Sequence, residues 1–148
     1  MKSFYKKYDI TSFENRNVMY VAFVGRYKTT DLYKYGKSVN VYEREYTKHR
    51  KAFDMFDMQY IKGTDNKDIV ENLFKKELKI RDLHRTMIIN NKKQTELFTV
   101  TEDYDYNYII NLLNRLIKNN PSYEVKKLTD KLKLTNQRLK ILYSEYNK

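Results

Sequence analysis

The sequence predicts a small α+β domain, a central antiparallel sheet flanked by helices, followed by a separate C-terminal amphipathic helix. Three observations predict it. Short β-branched and aromatic runs bounded by turn residues read as strands. Apolar residues at helical spacing, entered through capping residues, read as helices. The break Asn119-Asn120-Pro121-Ser122 then cuts off a tail with its own seven-residue rhythm. The expected order is ββαβα, then βα, then a lone helix. The expected boundaries are an arm over 1–17, the domain over 18–118 and the helix over 122–148.

Taken in order, Val18 to Val24 is a continuous apolar run ending at Gly25, too short for a helix and apolar on both sides, hence a buried strand. The polar stretch Arg26–Asp31 is a turn, and Leu32–Lys37 alternates as a second strand, antiparallel to the first by hairpin logic. Asn40 with Glu43 three residues on has the form of a capping box, opening a helix to about Arg50 with Tyr42, Tyr46 and His49 on one face. Phe53–Ile61 reads as a third strand stopped by Gly63. Asp65 or Asn66 caps the next helix, whose stripe is Ile69, Val70, Leu73, Phe74 and Leu78. Residues 84–93 read as a basic, polar loop and Thr95–Val100 as a short strand. Asp103–Lys118 is a helix on Tyr106, Ile109, Ile110, Leu113 and Leu116. Gly36 stands out, because glycine inside a strand marks a close approach of something else to the backbone.

Composition narrows the function classes. There are 30 Lys and Arg against 19 Asp and Glu, a net charge of +11, and the excess lies mainly before residue 100. Such an excess favours a polyanion, which releases its condensed counterions when cationic side chains replace them. A nucleic acid is the expected partner. The chain has no cysteine, which removes disulfides, thiolate nucleophiles and cysteine-based zinc sites together. With only His49 and His84, histidine triads and zinc clusters are poor candidates as well. No apolar run approaches membrane-spanning length, and MKSFYKKYDI has no signal-peptide core, so an intracellular protein, in the cytoplasm or at the nucleoid or nucleus of a host cell, is expected.

The polar residues set beside predicted core elements form an ordered series. Tyr20 is in the first strand, Lys34-Tyr35-Gly36-Lys37-Ser38 spans the second, and Arg44 follows Gly36 by eight residues. Glu71 flanks the stripe of the second helix, and Glu96-Leu97-Phe98 lies in the last strand. Each has a structural reading too: Tyr20 as core, Arg44 as a solvated helix residue, Glu71 paired with Lys75, Glu96 tying down a loop. As a series, they resemble the GIY-YIG nuclease superfamily over residues 18–117. The nearer likeness is to the branch common in phages and large DNA viruses, with Lys opening the second motif and a Glu-aromatic-Phe closing signature. Val-Met stands where the family has Gly-Ile, Lys48 stands where a histidine often follows the arginine, and the closing asparagine has no clear match.

The resemblance implies a metal-dependent endonuclease acting on DNA. Tyr20 would take the proton of the attacking water, helped by Lys34, and Arg44 would clamp the phosphate. Glu71 would hold a single Mg²⁺ or Mn²⁺, with Lys37, Lys48, His49 and Arg50 on the DNA backbone. The alternative is the same fold with an eroded site, binding DNA or a nucleotide. A third reading is an interaction protein organised by its last helix. There Val125, Leu128, Leu132, Thr135, Leu139, Leu142 and Tyr146 recur at intervals of three and four, a heptad seam that suits a short parallel homodimer, a helix packed back on the domain or the start of a longer scaffold.

Overall fold

The structure, a computed structural model, describes residues 16–39, 52–121 and 123–146, the last helix by backbone alone over 123–126. Among them are five strands and three helices: β1 (Val18–Tyr27), β2 (Thr30–Ser38), β3 (Asp57–Gly63), α1 (Lys67–Ile80), β4 (His84–Ile89), β5 (Lys92–Thr99), α2 (Tyr106–Asn119) and α3 (Tyr123–Tyr146). The strands make one antiparallel sheet in the order β3-β1-β2-β5-β4. The α+β class and the antiparallel sheet agree with the sequence. The helix expected between Asn40 and Arg50, with Glu43, Tyr42, Tyr46 and His49, lies outside the described residues.

Both faces of the sheet are buried, which is why β1 reads as an unbroken apolar run instead of an alternation. On one face Met19, Val21 and Tyr35 meet Val70, Phe74 and Leu78 of α1 and Ile109 and Leu113 of α2. On the other, Val18, Tyr20, Ala22 and Val24 meet Phe53, Phe56, Met58 and Leu97. Each of these large side chains contributes ~1.5–3 kcal/mol by leaving water. β1 runs past Gly25 to Tyr27, and Gly25 takes a φ of 135° at a break in the β1–β2 register that few side chains tolerate.

Five expectations need correction. The third strand begins at Asp57, not Phe53: Phe53 and Phe56 leave the strand direction and plug the second face of the sheet. Residues 84–93 are not a loop. They form β4, a two-residue turn at Asn90-Asn91 and the start of β5, with Ile89 paired to Lys92. Both asparagines have positive φ, 49° and 66°, which matches the mirror-image turn that suits the twist of a hairpin. The apolar members Met87 and Ile89 were hidden among basic and polar neighbours.

The helices also shift. Ile69 does not belong to the buried stripe of α1; it is 50% exposed, whereas Val70, Phe74 and Leu78 are covered. α2 starts later than Asp103, because the Asp105 carboxylate accepts from Tyr108 N and fixes the first turn. Asn66 is the N-cap of α1, yet its side chain does not cap. It donates to the carbonyls of Asn120 and Pro121 and ties the start of α1 to the end of α2. The expected arm ends docked, since Thr64 N donates to Asn17 O. Over Lys127–Tyr146, α3 is exposed on every side. No described helix is long and apolar enough to cross a membrane.

Candidate active site

The ladder between β2 and β5 covers only Leu32, Tyr33 and Lys34, which face Thr99, Phe98 and Leu97. Both strands continue beyond it. Tyr35–Ser38 pair with β1 alone, while Lys92, Lys93 and Gln94 pair with β4 alone. The two strands therefore part at Lys34, in the middle of the sheet. Just there β5 carries an extra residue against β4: Leu97 faces Arg85 and Gln94 faces Met87, three positions against two. Glu96 sits in that bulge, and a bulge re-aims the side chain it carries.

Five charged side chains collect around this gap. Lys34 is buried, and its Nζ lies 2.9 Å from Glu96 Oε2. Lys37 Nζ lies 2.6 Å from Asp68 Oδ1 and 3.6 Å from Glu71 Oε1. The Glu71 side chain, on the flank of α1, is only 12% exposed. Burial holds its carboxyl above the usual range, the charge of Glu96 adds to this, and Lys37 and Lys34 oppose it. Glu71 and Glu96 thus sense each other across the gap. Sixty-two positions separate Lys34 from Glu96 along the chain, so nothing local announces the pair.

Tyr20 reaches β2 from the other face of the sheet. It is paired with Gly36 across the ladder, is 1% exposed, and lays the end of its ring on that glycine. A Cβ at Gly36 would collide with the Tyr20 hydroxyl and ring. The in-strand glycine therefore has its physical reason: it admits a tyrosine hydroxyl to the stretch of β2 that has lost its β5 neighbour. Tyr20 and Glu71 belong to opposite faces, and each lies beside the part of β2 beyond the β5 ladder, Tyr20 over Gly36 and Glu71 near Lys37.

Sequence reasoning missed the pairing of Tyr35 with His84. The hydroxyl of fully buried Tyr35 lies 2.9 Å from His84 Nε2, and its ring packs edge-on against Phe74. Burial pushes the phenol upward, reinforced by Glu96 and Glu71. Burial, Lys79 and Lys75 pull His84 down to about 4, so its imidazole is neutral at physiological pH. The signal for that pairing is the alternation of β4, masked by its basic and polar neighbours. Of the expected site residues, Tyr20, Lys34, Lys37 and Glu71 are in this region. Arg44, Lys48, His49 and Arg50 lie outside the described residues.

Among the described residues no three His, Asp or Glu side chains converge on one point. The available donor is the Glu71 carboxylate, with Glu96 near enough to raise its proton affinity. A cation bound through one carboxylate, with water and phosphate oxygens completing its shell, is the habit of Mg²⁺. A largely buried carboxylate of this kind offers such an ion one ligand, at the position where Lys37 now lies 3.6 Å away. Comparison with known proteins finds no matching family model, no matching curated protein and no matching solved structure.

Proposed function

We propose that this chain is a metal-dependent endonuclease of GIY-YIG type that hydrolyses DNA phosphodiester bonds. The observation that carries the reading is the Tyr20 hydroxyl over bare Gly36, beside a gap lined by Lys34 and Glu71. In this reading Tyr20 accepts the proton of the attacking water. Lys34, its ammonium positioned by Glu96, supplies positive charge beside the scissile phosphate. Arg44 clamps the phosphate through its guanidinium fork. Glu71 would hold Mg²⁺ or Mn²⁺, which when bound neutralises phosphate charge and stabilises the leaving oxygen. Lys37, Lys48, His49 and Arg50 hold the DNA backbone.

A second reading, an eroded site of the same kind that binds DNA or a nucleotide, draws on a different observation. Lys37 already bridges Glu71 and Asp68, so an ammonium occupies the carboxylate a metal would need. Incubation of supercoiled plasmid with Mg²⁺ or Mn²⁺ separates the two. The nuclease reading expects nicked or linear product from wild type and a loss of at least about a hundredfold in Glu71→Gln, with DNA binding retained. Cleavage unchanged in Glu71→Gln removes Glu71 as the metal ligand. Wild type that binds DNA but never cleaves it leaves the binding module as the answer.

A further inference from the structure

We infer that α3 is the dimerisation element of this protein and that its occupant is the α3 of a second copy, parallel and in register. The helix is 24 residues long, about 36 Å. Leu128, Leu132, Leu139 and Leu142 are 59–67% exposed on it, in a single seam with Tyr146. Apolar side chains repeating every seven residues are complementary to a copy of themselves, which is the requirement of a twofold interface.

Two further observations select this occupant and its direction. Thr135 falls in the middle of the seam, where a polar group would ordinarily weaken it. Its hydroxyl donates to Lys131 O at 3.0 Å, so the polar atom is satisfied within its own helix and the methyl group is left for the seam. Charge decides direction. The flanking positions hold Lys131, Arg138 and Glu145 on one side and Thr129, Asn136 and Tyr143 on the other. Parallel pairing sets Lys131 against Asn136, and Arg138 against Tyr143, of the second copy. Fully overlapped antiparallel pairing sets Lys131 against Arg138 twice, a like-charge contact on either side of the seam's centre. A parallel pair also delivers both basic domains at the same end of the coil, where two of them can engage one duplex.

The absence of cysteine makes the test direct. Sedimentation velocity at high micromolar concentration should give twice the monomer mass for wild type and the monomer mass for Leu132→Lys/Leu139→Lys. The melting of the α+β domain should be unchanged, because these leucines are exposed. Under mild oxidation, Leu128→Cys alone should cross-link to completion. An antiparallel pair would instead cross-link only when Leu128→Cys is mixed with Leu139→Cys. A monomeric or higher-order wild type, or cross-linking confined to the mixture, overturns the proposal. A dimer that survives the double lysine variant overturns it as well.

Discussion

At the scale of single residues, the gap between β2 and β5 is a place where charge is held at a cost. The Glu71 carboxyl sits above its usual range because burial and Glu96 outweigh Lys37 and Lys34. A carboxyl whose folded value is raised contributes stability while protonated and loses it as pH rises through that value. Glu71→Gln should therefore raise the melting temperature at pH 7. The gain should vanish once pH falls below the ordinary value of 4.5, a crossing that thermal melts across the two pH values would reveal. His84 carries the opposite sign. Its folded value is lowered from 6.5 to about 4, so the stability of the neutral imidazole is present above 6.5 and is lost as pH falls toward 4. Urea unfolding should show wild type weakening from pH 7 to pH 5. His84→Gln, which still offers Tyr35 a hydrogen-bond acceptor, should flatten that limb.

At the scale of elements, the β4–β5 hairpin shows how a strand pair can hide in a basic sequence. Its turn needs two residues with positive φ, and asparagine is the side-chain-bearing residue that tolerates this best. Asn90 has a second task, donating to Ala52 O and Asp54 Oδ1, whereas the Asn91 side chain bonds to none of the described residues. Asn91→Gly should therefore stabilise the protein by up to about 1 kcal/mol, and Asn91→Val should destabilise it by at least as much. Equilibrium denaturation of the two variants measures both. The prediction fails if glycine weakens the hairpin, which would mean the asparagine side chain contributes more than its backbone strain costs. The hairpin bears on the site because the bulge that turns Glu96 toward Lys34 lies within it.

At the scale of the whole molecule, the net charge of +11 is the dominant long-range property. Lys34 and Lys37 already face carboxylates, so the free cationic charge has to come from elsewhere on the surface. If Arg44, Lys48 and Arg50 contact phosphates with some help from Lys37, three or four counterions are released. The slope of log affinity against log salt should then be roughly −3 to −4. Fluorescence-anisotropy titrations of a DNA duplex at several salt concentrations would measure it. A flat response would sink the nucleic-acid reading, whatever the state of the catalytic residues.

The sequence by itself determined the α+β class, the buried first strand, the two domain helices and the heptad tail. These follow from local periodicity and from capping and breaking residues, which act over a few positions. It also marked Gly36 as a place of close approach without saying what approaches. Only the tertiary structure decided that Tyr20 lies over it. Tertiary structure likewise decided that Phe53 and Phe56 fill a face of the sheet instead of starting a strand. The meeting of Lys34 with Glu96, and of Tyr35 with His84, spans 62 and 49 positions along the chain. The physical reason is the same in each case. Which side chains meet at the gap depends on where the β2–β5 ladder stops and where β5 bulges, and both are set by pairing between distant strands.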